Sequence, residues 1–471
     1  MKSLVWFRSD LRMDDNPALR NACIESDEVH GIYLYSKKQL KLHNEANCKT
    51  EFIIENLKVL SKSLININIP LTIINVDSFQ NCERELLNIC NERSLSKIYF
   101  NNQFGEDEQE RDKSVIECFK KNNLDISAFD DQVVYKPGFI KTGEGKPYSV
   151  FTPFKRRWIE NFNMDLLDID FSYTQKIKTQ IIPNVDNFEF DFKKQNIVNM
   201  ELWPAGEEQA LIILNNYLKE KIFRYSIDRN DPIIDGTSRL SPYLASGIIS
   251  PKRCILEALK INNFELDSGE KGITKWIDEI VWREFYKNIM YSFPRVSKGK
   301  PFQEYTNKIQ WRFDEVEFTA WKDGNTGFPL IDSAMRQLKH EGWMHNRLRM
   351  VTAMFFTKNL LHDWRLGEKY FMENLMDGDF SSNNGGWQWS SSTGTDAAPY
   401  FRIFNPLTQS KNFDPKGLFI KKYVDEIKDL SSKDIHDPSD HQRNSCNYPM
   451  QICDLKQSRL RAIEAFNKAK N

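Results

Sequence analysis

Residues 31 to 76 read "GIYLYSKKQLKLHNEANCKTEFIIENLKVLSKSLININIPLTIINV" and join two short apolar runs through a helical stretch. The runs at 31–35 and 71–76 are rich in β-branched and aromatic residues, which is typical of buried strands. The segment "TEFIIENLKVLSKSL" (50–64) between them has the length and spacing of a helix. A strand, a helix and a second strand in this order predict two parallel strands joined by a crossover helix.

The same rhythm extends over the first 130 or so residues, where "LVWF" (4–7) and "IYF" (98–100) supply two further apolar runs. We therefore predict an N-terminal α/β domain, residues 1–130, with a doubly wound parallel sheet that is covered by helices on both faces. Such sheets usually bind ligands beyond the carboxyl ends of their strands. The sequence has no GxGxxG motif, which argues against a dinucleotide site of the Rossmann kind.

The remainder of the chain has a different texture. Residues 131–200 have few clean periods, and we interpret them as an inter-domain linker. Residues 201–471 are almost wholly helical in pattern and predict a C-terminal all-helical domain. Eight of the eleven tryptophans lie between residues 276 and 389 of this part, at Trp276, Trp282, Trp311, Trp321, Trp343, Trp364, Trp387 and Trp389. A core rich in large rings and a buried aromatic cofactor both explain this concentration, and for the whole set the cofactor is favoured.

The composition excludes several classes of protein. No segment approaches the roughly 18 consecutive apolar residues of a membrane span, and the start "MKSLVWFRSD" lacks the apolar region of a signal peptide. The eight cysteines form no CxxC pair and no Cys/His cluster, so neither a disulfide framework nor a zinc site is indicated. These features predict a cytoplasmic protein without a membrane partner. The net charge of -1 does not decide whether nucleic acid binds, because a local basic patch is sufficient.

A packed core does not account for "DGDFSSNNGGWQWSSSTGTDAAPYFRIFNP" (377–406). This stretch combines two carboxylates, an Asn pair, a Gly pair and two tryptophans, and it has little helical or strand periodicity. Acids, amides and indoles on a pliable backbone are groups that hold a ligand. We therefore predict that this stretch forms part of a binding site.

The segment "KWIDEIVWREFYKNIM" (275–290) predicts a helix with two distinct faces. At about 100° per residue, one face is apolar and carries Ile277, Val281, Phe285 and Ile289. The other face carries Trp276, Glu279, Arg283 and Tyr286, with Trp282 at its edge. Solvated faces carry Lys and Glu rather than indoles beside a lone acid, so this second face is predicted to line a pocket.

A second helix, "WMHNRLRMVTAMFFTK" (343–358), places Asn346, Arg349, Met350 and Ala353 on one stripe. From residue 334 to residue 358 there are five Lys or Arg residues and one acid, Glu341. This is a local basic patch that the total charge conceals, and it is compatible with binding to a phosphate backbone.

Hydroxyl groups are concentrated in "YSIDRNDPIIDGTSRLSPYLASGIISPKRCI" (225–255). Ser241 and Ser250 each precede a proline and are predicted to cap helices, with Gly247 closing the first of them. Thr237 and Ser238 lie just upstream, where a helix N-terminus favours a phosphate group. Plain helix capping and phosphate binding both explain the pattern.

Together, "LVWFRSDLRMDDNPAL" (4–19), "DGTSRLSPYLASG" (235–247), "WREFY" (282–286), "GWMHNRLRM" (342–350) and the 377–406 stretch resemble the photolyase/cryptochrome flavoproteins. The resemblance covers nearly the whole chain and is greatest to bacterial class I DNA photolyases. It implies an N-terminal α/β antenna domain, a linker and an all-helical domain that holds FAD in a folded-back shape.

The resemblance also implies the residues of the FAD site. Asn383 would face the flavin N5 as a neutral amide, which suits a reduced, anionic flavin; plant cryptochromes resemble this motif with Asp there. The other implied FAD residues are Tyr225, Thr237, Ser238, Arg239, Leu240, Ser241, Trp276, Arg283, Trp343, Asn346, Arg349, Asp377 and Asp379.

The reaction that the resemblance implies is light-driven repair of cyclobutane pyrimidine dimers in double-stranded DNA, catalysed by a deoxyribodipyrimidine photo-lyase that is expected to be a monomer. Excited FADH⁻ would give an electron to a dimer that has been flipped out of the helix. The residues implied around the dimer are Glu279, Trp282, Tyr286, Asn346, Met350 and Trp389, and those implied on the DNA backbone are Arg229, Arg347, Arg402 and Gln409.

Relatives that repair the (6-4) photoproduct have histidines at the positions of Asn346 and Met350, so this sequence favours the cyclobutane dimer. A cryptochrome-type blue-light photoreceptor and a single-strand-specific repair enzyme are the alternative functions.

Two further sets of residues follow from the resemblance. Trp387, Trp364 and Trp311 match a chain of indoles that leads from the flavin to the surface. The positions of His43, Asn44, Glu108 and Lys298 match those that hold a methenyltetrahydrofolate antenna in folate-using relatives. Asp107 departs from that pattern, because Asn is expected there, and a deazaflavin antenna or no antenna remains open.

Overall fold

The computed structural model describes residues 1–169, 181–192 and 197–470. The described residues form two compact units. Unit 1 contains Met1–Gln195, Trp203–Phe223 and Ser238–Pro294, and unit 2 contains Asn196–Leu202, Arg224–Thr237 and Arg295–Asn471. Some helices that follow residue 201 therefore lie in unit 1, whereas the predicted domains place all of them in the C-terminal domain.

Unit 1 contains a parallel five-stranded sheet in the order β3-β2-β1-β4-β5. Its strands are β1 (Lys2–Phe7), β2 (Glu28–Tyr35), β3 (Leu71–Asn75), β4 (Lys97–Asn101) and β5 (Asp125–Phe129). Four of them coincide with the apolar runs in the sequence, and β5 is an additional edge strand. The reversal of strand order around β1 is the doubly wound arrangement that the sequence predicts.

The helices begin and end as follows. Residues 1–292 contain α1 (Pro17–Glu25), α2 (Lys37–Leu42), α3 (Asn47–Ile65), α4 (Cys82–Glu92), α5 (Glu106–Lys121), α6 (Phe151–Glu160), α7 (Glu207–Glu220), α8 (Tyr225–Asp228), α9 (Ser241–Ala245), α10 (Pro251–Ile261) and α11 (Lys271–Ser292). The residues that follow contain α12 (Pro294–Ser297), α13 (Glu315–Asp323), α14 (Pro329–Glu341), α15 (Asn346–Met354), α16 (Trp364–Met372), α17 (Phe380–Ser391), α18 (Pro406–Phe413), α19 (Leu418–Tyr423), α20 (Asp440–Cys446) and α21 (Leu455–Lys470). No described residue after β5 belongs to a named strand, which agrees with the helical pattern of the sequence.

Only one of the two predicted serine caps is present. Ser250 caps α10, where its hydroxyl accepts a hydrogen bond from the Arg253 amide. Ser241 is instead the first helical residue of α9, because the N-cap position falls on Leu240. Gly247 follows the end of α9 with φ of +67°, and a Cβ there would lie 1.9 Å from the Ser9 carbonyl oxygen. Only glycine fits this close approach of two backbone segments.

The predicted linker is less irregular than the sequence suggests. Residues 170–180 and 193–196 lie outside the described residues, but 151–160 form α6, a regular helix. Phe151, Phe154 and Trp158 are its buried residues, and their i, i+3, i+7 spacing is the signal that our interpretation of this segment missed.

Each unit has its own apolar core. In unit 1, Leu4, Trp6, Ile32, Ile98 and Phe100 from the sheet pack together with residues of α4 and α5. In unit 2, the core is built around the buried indoles of Trp321, Trp364 and Trp387. Among the described residues, no helix has both the length and the apolar character needed to cross a membrane.

Candidate functional site

The 377–406 stretch contains a helix that its weak periodicity did not predict. Asp379 starts α17, because its carboxylate accepts a hydrogen bond from the Ser381 amide, and Ser392 ends it in a left-handed conformation. Weak periodicity in the sequence thus coexists with a regular helix at residues 380–391. The helix fixes the direction of the amide and indole side chains that the sequence singled out.

An ion pair between a partly exposed arginine and a buried aspartate lies just before this helix in unit 2. The Arg349 Nη2 donates to Asp377 Oδ2 at 2.8 Å, and the Arg349 Nε donates to the Met344 carbonyl at 2.8 Å. Asp377 is 8% exposed, and its second oxygen, Oδ1, has no hydrogen-bond partner among the described residues. A buried carboxylate oxygen without a hydrogen bond costs free energy of folding. The Asp377 Oδ1 atom is therefore suited to accept a hydrogen bond from a ligand. It lies on a residue that the sequence assigns to the FAD site.

Asn383 lies within α17 and is oriented by a neighbour that the sequence did not reveal. Its Nδ2 donates to the Glu368 backbone carbonyl at 2.9 Å, and the next residue, Asn384, donates to Glu368 Oε1 at 3.2 Å. Burial raises the pKa of the Glu368 carboxyl to about 7, although the Asn384 hydrogen bond acts in the opposite direction. One N–H of the Asn383 amide is thus used within the protein, which orients the side chain, and its Oδ1 is the acceptor that the side chain offers.

The stripe of α15 that carries Asn346 and Met350 is partly accessible to solvent. Asn346 is exposed and Met350 is half-buried, and they lie one helical turn apart. Trp343, which precedes the helix, is 6% exposed.

The charges of two arginines of unit 2, Arg347 and Arg229, interact. Arg347 donates from Nη2 to Asn230 Oδ1 at 2.6 Å and lies 4.5 Å over the Phe413 ring. It makes no ion pair with any carboxylate of the described residues, and burial together with the Arg229 charge lowers its pKa. Two adjacent guanidinium groups favour an anion at this surface. Asn230 is a positioning contact that sequence reasoning missed.

The other unit 2 residues that are predicted to contact DNA or FAD differ in their exposure to solvent. Arg402 is exposed, and Gln409 is half-buried with an Oε1 that has no partner among the described residues. Tyr225 is buried beneath the Arg229 guanidinium at 5.2 Å, and Thr237 is half-buried.

In unit 1, the hydroxyl-rich loop meets α11. The Trp276 Nε1 donates to Ser238 Oγ at 3.4 Å, and Trp276 is 4% exposed. Arg239 has a positive φ of 51°, and Leu240 is buried. The structure thus brings Ser238 and Trp276 together. The hydroxyl of Ser241 is not explained by helix capping, because the N-cap position of α9 is Leu240, one residue earlier.

Arg283 is occupied within unit 1. Its Nη1 donates to the Gln132 carbonyl at 2.6 Å, and its Nη2 donates to the Leu244 carbonyl at 3.2 Å. These bonds tie the loop at Gln132 and helix α9 to α11 and give Arg283 a structural role. A guanidinium has five N–H donors, and the predicted contact of Arg283 with FAD stays a prediction.

The two faces of α11 match the sequence prediction. Ile277, Val281, Phe285 and Ile289 are buried, and Glu279, Trp282 and Tyr286 are half-buried. The Trp282 indole stacks on Phe151, with ring centroids 3.6 Å apart and an interplanar angle of 9°. Tyr286 is the next ring along the face, 5.6 Å from Trp282. This face offers a carboxylate and an aromatic surface one helical turn apart.

The three tryptophans of the predicted indole chain differ in burial. Trp387 is 2% exposed and Trp364 is 0% exposed, whereas Trp311 is half-buried. The Trp387 Nε1 has no hydrogen-bond partner among the described residues, and Trp321 lies edge-on at 6.1 Å. Trp389, one of the predicted lesion contacts, is half-buried.

Three of the four predicted antenna residues lie in unit 1. His43 ends α2, and its ring nitrogens are 3.0 Å from Asp107 Oδ2 and 3.6 Å from Glu108 Oε1. Asn44 follows with a positive φ of 53°. Asp107, the position that departs from the folate pattern, therefore contacts the predicted antenna histidine directly. Lys298 belongs to unit 2.

Comparisons with known proteins agree with this arrangement. Residues 3–172 match the DNA photolyase family model, and residues 276–468 match the model for the FAD binding domain of DNA photolyase. A deoxyribodipyrimidine photo-lyase of Salmonella typhimurium is 38% identical over 99% of this chain and 98% of its own length.

Two solved structures are also similar. A class III photolyase from Agrobacterium tumefaciens aligns with a TM-score of 0.89 and 31% identity over 100% of this chain and 98% of its own. An archaeal photolyase from Sulfolobus tokodaii, described as having two FAD molecules, aligns with a TM-score of 0.82 and 27% identity over 99% of this chain and 100% of its own.

The fold and the similarity over the whole length define a photolyase-type flavoprotein with an α/β N-terminal region and a helical FAD-binding region. The chain belongs to the DNA photolyase family. The predicted fold class and the prediction of a photo-lyase enzyme are confirmed, and the matched domain supports FAD as the cofactor.

Proposed function

We propose that this enzyme repairs cyclobutane pyrimidine dimers in double-stranded DNA, using light and bound FAD. The observation that carries the proposal is the half-buried face of α11, where Glu279 and Trp282 lie one turn apart. An indole plane stacks on a pyrimidine, and a carboxylate accepts a hydrogen bond from the imide N–H of a thymine. The test of this proposed function is to measure whether dimers are repaired in the light and not in the dark.

The unit 2 residues around α17 support FAD binding. FAD, reduced and excited by light, would supply the electron that splits the dimer. Arg349 holds Asp377 by an ion pair, which leaves Asp377 Oδ1 ready to accept from a cofactor hydroxyl or amide. Asn383 would present its Oδ1 to the flavin N5–H as a neutral group. The further proposed contacts are Tyr225, Thr237, Trp343, Asn346 and Asp379 in unit 2, and Ser238, Arg239, Leu240, Ser241 and Trp276 in unit 1.

The lesion is proposed to be read by stacking and by a few polar groups. Trp282 and Trp389 would form aromatic walls for the flipped dimer, and Glu279 would hydrogen-bond its edge. Asn346 would contact the carbonyl groups, and Met350 would pack against the bases. Neither of the last two is a histidine, which favours the cyclobutane dimer over the (6-4) photoproduct.

The DNA backbone is proposed to contact Arg229, Arg347, Arg402 and Gln409. The neighbouring Arg229 and Arg347 support this best, because Arg347 has no carboxylate partner among the described residues and Asn230 holds its guanidinium in place. A phosphate between two guanidinium groups would offset their mutual repulsion. Such contacts fix the register on the duplex without reading its sequence.

We expect Arg347→Gln and Arg229→Gln each to reduce the salt dependence of DNA binding. Each phosphate contact contributes about one unit to the slope of log K against log salt concentration, so each variant is expected to lose about one unit. The measurement is a titration of dimer-containing duplex at several salt concentrations in the dark. Lys468→Gln is the matched control, since Lys468 pairs with Glu464 at 2.7 Å outside the 334–358 basic patch, and its slope is expected to equal the wild-type value. Wild-type slopes in both arginine variants would remove the two residues from the DNA interface.

We propose methenyltetrahydrofolate as a second, light-harvesting chromophore, held by His43, Asn44, Glu108 and Lys298. The proximity of His43 and Glu108 supports a polar site in unit 1. Asp107 adds a carboxylate where the folate pattern has an amide. A deazaflavin and a second FAD are the competing antennas. The absorption spectrum of the purified protein separates these possibilities, because a folate or a deazaflavin adds its own band to that of the flavin, whereas a second FAD raises the amount of FAD per chain.

A further inference from the structure

Helix α6 is held against α11 by specific polar contacts within unit 1. The Lys155 Nζ lies 2.5 Å from Asp278 Oδ1, and the Trp158 Nε1 donates to Glu284 Oε1 at 2.9 Å. Glu284 also accepts from the backbone amides of residues 134 and 135, so it joins the chain before α6 to α11. The position of α6 along α11 is therefore fixed at several points.

Phe151, the first residue of α6, is placed by this packing directly on the Trp282 indole. The two rings are nearly parallel at 9°, with centroids 3.6 Å apart, and Phe285 meets both of them edge-on at 5.8 and 5.7 Å. Phe151 is 7% exposed, whereas Trp282 is half-buried. One face of the Trp282 indole is thus covered by Phe151, and the indole is held by rings from two directions.

We propose that Phe151 is a positioning residue for lesion recognition, which holds the Trp282 indole in the plane on which the pyrimidine dimer stacks. The inference rests on the proposed role of Trp282 as a wall of the dimer site. Phe151 would not touch the dimer. Its ring restricts the rotamers of Trp282 before DNA binds, so less conformational entropy is lost on binding.

The competing explanation is that Phe151 only fills the core between α6 and α11. Phe154 provides a matched comparison, because it lies one turn further along α6, is 1% exposed and packs on Phe285 at 5.3 Å. Its described ring contacts do not include Trp282. Loss of either ring removes apolar packing, but only loss of the Phe151 ring removes the support of the indole.

The test is dark titration of two duplexes that differ only in a single thymine dimer, with FAD per chain checked by absorption. We expect Phe151→Leu to lower the preference for the dimer duplex by about two-fold to about ten-fold, the range that an aromatic pair contributes. Phe151→Tyr keeps the ring and is expected to retain the wild-type preference. Phe154→Leu is expected to lower the melting temperature and leave the preference unchanged.

A Trp282→Ala background completes the experiment. In this background, Phe151→Leu is expected to cause no further loss of preference, because there is no indole left to position. A wild-type preference in Phe151→Leu, an equal loss in Phe154→Leu, or the same loss with and without Trp282 would each overturn the proposal. A wild-type protein that does not prefer the dimer duplex would overturn the proposed function as well. This outcome is seen in the wild-type protein alone, so it can be distinguished from failure of the Phe151 proposal, which is seen only in the variants.

Discussion

Photoreduction of the oxidised flavin is expected to be nearly abolished by Trp387→Phe and strongly slowed by Trp311→Phe. An indole is oxidised more easily than a benzene ring, so a row of indoles lets a hole move outward to an external reductant. The burial of the three residues suits this direction, because Trp387 and Trp364 are buried and Trp311 is half-buried. Dimer repair by chemically reduced enzyme is expected to persist in both variants.

Transient absorption measures this prediction directly. In Trp311→Phe, the long-lived tryptophan radical is expected to disappear. Trp321→Phe is the matched control for Trp387→Phe. Trp321 is buried like Trp387 and lies 6.1 Å from it, but it is outside the proposed chain. If the indoles only pack the core, all variants lose about 0.5–3 kcal/mol of stability and photoreduce normally. Persistence of the normal radical in Trp311→Phe would eliminate Trp311 as the terminal donor.

Asp377→Ala is expected to weaken FAD binding by about 1.5–3 kcal/mol, which is about tenfold or more in Kd. The substitution removes the unsatisfied Oδ1 acceptor and leaves the Arg349 guanidinium without its carboxylate. Equilibrium dialysis or absorption of the purified protein gives the FAD content per chain. Thermal unfolding of the FAD-free form separates loss of the cofactor from loss of the fold.

Asp363→Ala is the matched control for Asp377. Asp363 likewise lies near a helix N-terminus and pairs with an arginine, since it lies 3.0 Å from Arg365 Nη1. It is not among the proposed FAD residues, so FAD content is expected to stay at the wild-type level. Full FAD content in Asp377→Ala would remove Asp377 from the cofactor site.

The elements that could be predicted from sequence are those whose burial leaves a periodic pattern. Strands β1 to β4 are buried and read as apolar runs, and α11 shows its apolar face at a 3.6-residue period. Strand β5 was missed because it is an edge strand whose residues are half-buried or exposed. Helix α17 was missed because Gly385 and Gly386 weaken helix propensity, while the Asp379 cap stabilises its start.

The site could be predicted only in part, for a related reason. A motif identifies which residue types are present, but their partners depend on contacts between distant segments. The pairing of Arg347 with Asn230 and the stacking of Trp282 on Phe151 each join residues more than 100 positions apart. The orientation of Asn383 by the Glu368 carbonyl likewise depends on how α16 and α17 pack. Periodicity within one segment contains none of this information.

Repair of defined lesions in light and in darkness tests the central proposal most directly. Purified protein with reduced FAD is mixed with duplex DNA that contains cyclobutane dimers and (6-4) photoproducts, and both lesions are quantified after illumination or after equal time in the dark. The proposed function predicts that the dimers revert to pyrimidines in the light only and that the (6-4) photoproducts remain. Dimers that persist under illumination despite bound FAD, or dimers that disappear equally in the dark, would contradict it.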